Sequence, residues 1–510
     1  MAKKHVVAAA ASSSFVHLHR LCYFLLALYA LTSLSLIYFT WCSVPHCADG
    51  VATSSAAAIH YNRPINLLSL GSAWNHLRFS ASPPPRRLKI ALFVKKWPQG
   101  ALAGGLERHA MTLYLALRGH ELHVFTTSPN SSSAAPGGTR DDGNIHLSRP
   151  TAAGNLDQSQ AWEQFHAQNS TGRAFDVVYS KSVAIFHGRA RRIPNLAVSW
   201  HGIAYETIHS DIVHELLRAK AEARQAMLAE KVARVVEEVR FFPSYSHHIA
   251  TSDHVGDVLK RVYMIPDERV HVIINGADEK VFKPDATRGR EIKMEVGVPE
   301  DAGMVIGMAG RLVKDKGHPI MFDALRQLFE EDESFQRGVV VLVAGDGPWS
   351  DRYSDLGPNV MVLGPLERER LAEFYNALDV FVNPTLRAQG LDNTFLEAML
   401  AGVPVMGTRF ASVAGSLIKD GEVGYTFSPT VASLKGALRR AWEDAGRREL
   451  RKRGEAARTR ALELFTATKM AAAYERLFLC ISQTQPKEDK NDYCMYPLRW
   501  DEQRGGGSSG

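Results

Sequence analysis

The sequence predicts an α/β protein with two doubly wound parallel sheets in tandem, preceded by one membrane-spanning segment. Three observations support this prediction. The chain has 510 residues, more than one ordinary domain needs. Short apolar runs alternate with helical patterns from residue 88 onward, and this alternation restarts near residue 280. Finally, residues 21–41 carry no charged side chain and are mostly large and apolar.

The uncharged segment is long enough to cross a bilayer, because about 21 residues at ~1.5 Å each cover the hydrocarbon core. Lys3, Lys4 and Arg20 precede it, and no acidic residue occurs before Asp49. This pattern predicts a cytosolic tail at residues 1–20 and a type II anchor at 21–42, in the Golgi or endoplasmic reticulum. A cleaved signal peptide or an organelle transit peptide is the alternative, which would make the protein secreted or plastidic.

The segments on either side of the predicted domains have compositions that do not build a core. Residues 43–87 are rich in Ala, Ser and Pro and predict a stem, and residues 486–510 predict a disordered tail. The five cysteines form neither a disulfide framework nor a metal-ligand spacing, although Cys42 and Cys47 could link two stems. Asn130 and Asn169 begin glycosylation triplets, which agrees weakly with a luminal chain.

The first domain is expected at residues 88–280. A Gly-rich turn at 100–105 and a helix at 106–118 separate its first two strands, and a long helical pattern covers 211–238. Strand–helix–strand units of this length predict a parallel sheet with right-handed crossovers. The apolar runs that predict strands are residues 88–94, 121–126, 176–179, 196–200 and 270–274.

The second domain is expected at residues 281–454, followed by a C-terminal helix within 455–485. Its helical stretches include 319–329, 366–377 and 393–401. The predicted strands are residues 304–308, 339–343, 360–363, 379–382 and 403–406. Ligands of doubly wound sheets bind at the carboxyl ends of the strands, so the site is expected in a cleft between the two domains.

The loops after the N-terminal strands suit a ligand that carries phosphate and hydroxyl groups. Gly104 and Gly105 allow close backbone approach, and the helix that follows offers free amides to an anion. An ordinary strand-to-helix turn explains this pair about equally well. His201 and Gly202 follow an apolar strand, where the imidazole can bond a sugar hydroxyl, although a histidine there is more often structural.

The loops after the C-terminal strands carry cations. Arg311 offers a planar fork for two phosphate oxygens, and Lys316 adds a point charge, so together they can hold a diphosphate. Glu397 lies about one turn inside a predicted helix, from which its carboxylate can reach a hydroxyl. The net charge is only +6 and we recognise no nucleic-acid-binding module, which argues against a nucleic-acid partner.

At these residues the chain resembles the retaining, two-Rossmann-domain (GT-B) glycosyltransferases of the family 4 type, also described as glycosyl transferases group 1. Sucrose synthase, sucrose-phosphate synthase and many α-mannosyltransferases share the pattern, and residues 384–390 have a plant-like context. The resemblance spans roughly residues 88–480 and keeps the motif order. The shared motifs are Gly104-Gly105-x-Glu107, His201-Gly202, Asn275-Gly276, Gly310-Arg311-x4-Lys316-Gly317, Gly345-Asp346-Gly347-Pro348 and Leu396-Glu397-Ala398-Met399.

The resemblance implies a hexosyltransferase that uses a UDP- or GDP-sugar donor, a glycan, lipid or small-molecule acceptor, and no metal or other cofactor. Arg311 and Lys316 would bind the diphosphate, Glu397 the ribose, and His201 would lie near the transferred sugar. These four are the expected catalytic residues. The expected donor-binding residues are Gly104, Gly105, Gly310, Leu366, Gln389, Gly390, Leu391, Asp392, Asn393 and Thr394.

One residue departs from the family pattern. Members usually carry Glu eight residues before Glu397, whereas this chain has Gln389. Glutamine keeps the size and the acceptor oxygen but loses the charge, so we expect altered donor specificity rather than lost activity. Two alternatives remain open: a non-catalytic homologue that binds a nucleotide-sugar or glycan, and another two-Rossmann enzyme such as a sugar-nucleotide epimerase or a phosphorylase.

Overall fold

The computed structural model describes residues 64–79, 86–98, 104–127, 144–152, 154–218, 221, 228–388, 391–483 and 492–497. The predicted cytosolic tail and anchor lie outside these residues, as do Cys42, Cys47, Asn130, Gln389 and Gly390. Within the described ranges, no helix is both long and apolar enough to cross a membrane. The anchor at residues 21–42 therefore stays a prediction.

Two parallel sheets organise the described part of the chain. One has seven strands in the order β4-β3-β2-β5-β6-β7-β8, and the other has six in the order β11-β10-β9-β12-β13-β14. In chain order, the strands of the described residues are β1 (Ile65–Asn66), β2 (Lys89–Phe93), β3 (Glu121–Thr127), β4 (Ile145–Ser148), β5 (Val177–Lys181), β6 (Leu196–Trp200), β7 (His247–Ala250), β8 (Val270–Val272), β9 (Met304–Ala309), β10 (Val339–Ala344), β11 (Val360–Gly364), β12 (Val380–Asn383), β13 (Val405–Thr408), β14 (Gly424–Phe427) and β15 (Met495–Tyr496).

Both sheets confirm the predicted doubly wound arrangement. The strand order reverses between β2 and β5 in the first sheet and between β9 and β12 in the second, and each reversal opens a crevice at the carboxyl ends. Strands β2, β5, β6 and β10 are buried at every residue, as expected where helices cover both faces of a parallel sheet.

Sixteen α-helices occur among the described residues, and two of the predicted helical stretches are divided. The stretch at 211–238 belongs to α4 and α5, and the stretch at 455–480 to α15 and α16. The helices are α1 (Gly105–Ala116), α2 (Gln158–Ser170), α3 (His187–Ala190), α4 (Ala204–Leu216), α5 (Leu228–Phe241), α6 (Asp253–Arg261), α7 (Ala286–Val296), α8 (His318–Glu331), α9 (Glu333–Gly338), α10 (Ser350–Ser354), α11 (Arg368–Asn376), α12 (Asn393–Leu400), α13 (Ala411–Ala414), α14 (Val431–Gly446), α15 (Glu449–Leu464) and α16 (Ala467–Ile481).

The chain passes between the two halves at two adjacent points. Ala277 donates its N–H to the carbonyl of Phe465 at 2.9 Å and accepts from the N–H of Ala467 at 2.8 Å. A Cβ at Gly276 would lie 2.3 Å from the Thr466 carbonyl oxygen, so only glycine permits this approach. Beyond the second crossing, α16 packs into the core of the seven-stranded sheet, so this helix belongs to the N-terminal half.

The predicted stem and tail are wrong where the structure describes them. Strand β1 pairs antiparallel with β15, and Cys480 forms a disulfide with Cys494. Trp74 is fully buried, and the amide of Asn75 donates to backbone carbonyls of both halves, at Ile274 and Leu464. A few large apolar residues in an Ala- and Ser-rich segment therefore suffice to fix residues 64–79 on the body. Residues 492–497 are held on the body in turn, because β15 pairs with β1 and Cys494 is bonded to Cys480.

Candidate functional site

The carboxyl ends of both sheets open into one cleft of about 890 Å³. Loops after β5, β6, β9 and β12 contribute to it, as the rule for doubly wound sheets predicts. Gln389 and Gly390 lie outside the described residues, and Glu397 is absent from the cleft lining. The other predicted site residues come together there: Gly104, Gly105, His201, Gly310, Arg311, Lys316, Leu366, Leu391, Asp392, Asn393 and Thr394.

The glycine pair begins helix α1 at the edge of the cleft. Gly104 caps the helix with an extended backbone, and a Cβ there would lie 2.6 Å from a carboxylate oxygen of Glu107. A Cβ at Gly105 would meet nothing within 4 Å. The first turn of α1 therefore faces the cleft with its backbone amides, and the carboxylate of Glu107 folds back beside Gly104.

The two predicted phosphate cations differ in their surroundings. Arg311 is exposed, and its side chain makes no hydrogen bond or ion pair with any described residue. Lys316 lies 2.7 Å from both carboxylate oxygens of Asp392, and Asn383 donates to the same carboxylate at 2.9 Å. Burial acts to raise the pKa of Asp392, but Lys316 and Asn383 outweigh it and lower the pKa. Arg311 is thus the unpaired charge and Lys316 is already paired.

Glu397 lies beside the cleft rather than in it. Its side chain is 4% exposed and faces a smaller cavity of about 200 Å³. One carboxylate oxygen accepts a hydrogen bond from the Tyr375 hydroxyl at 2.9 Å, and the other lies 3.4 Å from Nη1 of Arg108. The smaller cavity adjoins the cleft, because Arg108, Leu366 and Asn393 line both.

The N-terminal wall of the cleft rests on a layer of polar side chains, most of them buried. Nε2 of His201 lies 3.0 Å from the Ser199 hydroxyl, which lies 2.6 Å from the Tyr179 hydroxyl. Nζ of Lys181 lies 2.7 Å from Nδ1 of His109, whose ring packs edge-on against His201. Burial, followed by the charge of Lys181, lowers the pKa of His201 well below its ordinary value. His201 therefore offers the cleft a neutral imidazole.

Sequence reasoning missed several of these residues. Lys181 ends β5, and Ser182 follows it with a left-handed backbone at φ 53° and lines the cleft. Arg108 lies in the first turn of α1 and reaches the other half of the molecule. A search for polar residues at the carboxyl ends of apolar strands would have found Lys181 and Ser182. The contact of Arg108 depends on how the halves meet, which no local pattern reveals.

Two family models match consecutive parts of the chain. Residues 103–281 match the model described as Glycosyltransferase Family 4, and residues 303–444 match the model described as Glycosyl transferases group 1. The first match falls on the seven-stranded half and the second on the six-stranded half. A D-inositol 3-phosphate glycosyltransferase from Xylanimonas cellulosilytica is 27% identical over 234 residues, covering 43% of this chain and 54% of that protein. The chain thus spans about half the length of the curated relatives it matches.

Solved structures share the fold over most of the chain. Sucrose-phosphate synthase from Thermosynechococcus elongatus superposes with a TM-score of 0.59 at 20% identity, covering 77% of this chain and 100% of that one. Anabaena HepE in complex with UDP-glucose gives a TM-score of 0.56 at 18% identity, covering 77% of this chain and 99% of that one. With one family match on each side of a shared cleft, this chain is a GT-B protein of the glycosyltransferase group 1 and family 4 type.

Proposed function

We propose that this protein is a retaining hexosyltransferase that uses a UDP- or GDP-sugar donor and needs no metal. The observation that carries the proposal is the pairing of two unlike walls across one cleft. The C-terminal wall presents the unpaired cation Arg311, and the N-terminal wall presents the amides of α1 and the neutral imidazole of His201. A diphosphate joined to a sugar carries the complementary groups.

The proposed reaction exchanges one bond at the anomeric carbon for another. The bond to the donor phosphate breaks, a bond to the acceptor hydroxyl oxygen forms on the same face, and the departing phosphate takes the hydroxyl proton. Arg311 stabilises the negative charge that develops on the leaving diphosphate. Lys316 contributes once the phosphate competes with Asp392 for its ammonium group. His201 donates or accepts a hydrogen bond at the sugar without changing its charge.

We also propose that the protein is a single-pass type II membrane protein with its catalytic part in the lumen of the Golgi or endoplasmic reticulum. The uncharged run at residues 21–41 supports an anchor. The disulfide between Cys480 and Cys494 supports an oxidising compartment, because such bonds rarely persist in the cytosol. Protection of a C-terminal epitope from protease in sealed microsomes would test this topology, and digestion without detergent would contradict it.

The test of the activity is a binding screen followed by an assay of turnover. Thermal unfolding of the chain from residue 64 onward is measured with UDP, GDP, ADP and their common sugar conjugates. A ligand that prefers the native state raises the unfolding temperature. Release of nucleoside diphosphate that depends on time and on an acceptor, in the presence of a metal chelator, supports a metal-independent transferase. Selective binding without any release contradicts it.

Gln389 favours a second candidate, a non-catalytic protein that binds a nucleotide-sugar or glycan. Glutamine replaces the carboxylate that the family pattern has at this position. The two candidates differ in turnover but agree on donor binding. Tight binding with no transfer to a broad panel of glycan, lipid and small-molecule acceptors would favour the second.

A further inference from the structure

We propose that Arg108 is a further donor-binding residue, which leaves Glu397 and binds the phosphate next to the ribose when a nucleotide enters. This inference rests on the proposed function, because it names a residue that selects the donor in the same cleft. Arg108 belongs to the N-terminal half, whereas the predicted phosphate cations Arg311 and Lys316 belong to the C-terminal half.

The guanidinium of Arg108 is unusually short of hydrogen bonds. An arginine side chain carries five N–H donors. None of them forms a hydrogen bond with another described residue, and Nε is buried without a partner. The side chain is only 26% exposed. Buried donors in native proteins nearly always have an acceptor, so the unpartnered Nε indicates a ligand that supplies one.

The contact between Arg108 and Glu397 is an incomplete ion pair. The distance from Nη1 to the nearer carboxylate oxygen is 3.4 Å, longer than the roughly 2.7–2.9 Å of a charge-assisted hydrogen bond. The other carboxylate oxygen is occupied by the Tyr375 hydroxyl. Among the described residues, therefore, nothing donates a hydrogen bond to the oxygen of Glu397 nearest Arg108, and the guanidinium of Arg108 donates none. The pair is poised to accept a ligand with a hydroxyl donor and an anionic acceptor close together.

The position of Arg108 matches the junction of a nucleotide. Arg108 lines both the cleft and the smaller cavity that contains Glu397. Arg311 and Lys316 line the cleft but not the smaller cavity. A ribose that donates a hydroxyl to Glu397 would extend its 5′ carbon and first phosphate past Arg108. Arg108 would then meet the phosphate attached to the ribose, and the C-terminal cations would meet the outer phosphate.

The experiment compares affinities along the series nucleoside, nucleoside monophosphate and nucleoside diphosphate. Calorimetric titrations use uridine, UMP and UDP, with the guanosine and adenosine series in parallel. In Arg108→Met, we expect the affinity for the monophosphate and the diphosphate to fall about 10- to 100-fold, while the nucleoside changes less than about twofold. An equal change for all three ligands would overturn the inference, because it would give Arg108 a structural role only.

Arg368→Met is the matched control. Arg368 lines the same smaller cavity and is 31% exposed, but its guanidinium already donates to Asp278 at 2.7 Å. We therefore expect this variant to change the affinity for nucleoside and monophosphate by the same factor. A monophosphate-specific loss in Arg368→Met as large as that in Arg108→Met would remove the assignment to Arg108.

A second background guards against misfolding. Arg108→Met leaves the buried carboxylate of Glu397 without its cation. The ratio of monophosphate affinity to nucleoside affinity is therefore also measured in the double variant Arg108→Met/Glu397→Gln and compared with the ratio in Glu397→Gln alone. A retained phosphate-specific loss supports the inference, and no difference overturns it. If the unmodified protein binds no nucleotide, the proposed function falls along with this inference. If the unmodified protein binds UDP but Arg108→Met leaves the ratio of monophosphate affinity to nucleoside affinity unchanged, only this inference falls.

Discussion

The two halves of the molecule share one strand order but carry different polar chemistry. Of the 20 histidines in the chain, only His318 follows residue 280. The N-terminal half buries imidazoles beneath its wall of the cleft, and burial lowers their pKa values. The C-terminal half instead presents Arg311 and Lys316 at its strand ends. One topology thus supports two unlike walls, because the loops after the strands are free to differ.

The charged groups of one wall and the neutral groups of the other suit different parts of a nucleotide-sugar. A diphosphate needs cations, and the C-terminal half supplies them in Arg311 and Lys316. A sugar hydroxyl needs a donor or acceptor without a net charge, and a buried histidine with a lowered pKa provides one. The comparison therefore predicts that the two halves respond differently to acid, to loss of a cation and to loss of a buried amine.

The largest expected effect is an acid weakness concentrated in the N-terminal half, because the other half has the single histidine His318, whose pKa burial also lowers to about 4. Burial lowers the pKa of His146 and His247 to about 4, whereas the unfolded chain binds protons at the ordinary value near 6.5. Stability is therefore complete above pH 6.5 and is lost as the pH falls towards 4, by about 2 kcal/mol for each histidine at pH 5. Hydrogen exchange at pH 7 and pH 5 measures this loss strand by strand. Equal loss of protection in both sheets would contradict the comparison.

The next effect is the loss of the unpaired cation. In Arg311→Met we expect nucleoside diphosphate affinity to fall about 100-fold, because Lys316, the other predicted phosphate cation, is already paired with Asp392. Isothermal titration measures the change. Arg326→Met is the control, since Arg326 lies on the exposed face of α8 and pairs with Glu330. Unchanged affinity in Arg311→Met would remove the phosphate assignment.

A smaller effect is expected from Lys181. Its charge contributes, after burial, to the low pKa of His201, so Lys181→Met should raise that pKa. Protonated His201 would repel the positive charge that develops on the transferred sugar. We expect the acidic limb of the kcat/KM profile to move to higher pH, with roughly a threefold loss near pH 5.5 and little change at pH 7, because burial still holds the pKa of His201 below its ordinary value. Lys181→Arg keeps the charge and should leave the limb in place; a limb that moves equally in both variants would contradict this role.

The smallest effect concerns Gln389, on the C-terminal side. Gln389→Glu restores the carboxylate of the family pattern, so it should change the ratio of kcat/KM between two donor sugars by about twofold. Competition between UDP-sugars or GDP-sugars of different configuration measures this ratio. An identical donor preference before and after the change would mean that position 389 does not select the sugar.

The sequence predicted those elements whose pattern is local. The run at residues 339–343 is wholly apolar and the run at 88–94 is apolar apart from Lys89, and they form β10 and β2. Strands β4, β7 and β14 were not predicted. Strands β4 and β7 contain His146, His247 and His248, which look polar but are stabilised by packing and by hydrogen bonds to other rings. In β14 the apolar run is interrupted by Gly424 and by the buried Thr426. The strands of the sheets thus followed from composition, except where a buried polar residue interrupts the run.

The site was predicted in composition but not in geometry. The glycine pair, His201, Arg311 and Lys316 do meet in one cleft. The partners of Lys316 and Glu397 were not foreseen, because Asp392 and Arg108 reach them through contacts distant in sequence. Arg108 in particular crosses from one half to the other. Such contacts depend on how the two halves approach, and this information is spread over the whole chain.

The double crossing at Ala277 and Thr466 has a mechanical consequence. Two halves joined by one chain crossing can rotate relative to each other in every direction. Two halves joined at two neighbouring crossings rotate about the line that passes through both. The two hydrogen bonds at Ala277 hold the two chain crossings next to each other. We therefore expect the cleft to open chiefly by rotation about that line. One pair of fluorescent labels, one in each half, would then follow the whole motion, and its amplitude would grow in proportion to the distance from that axis.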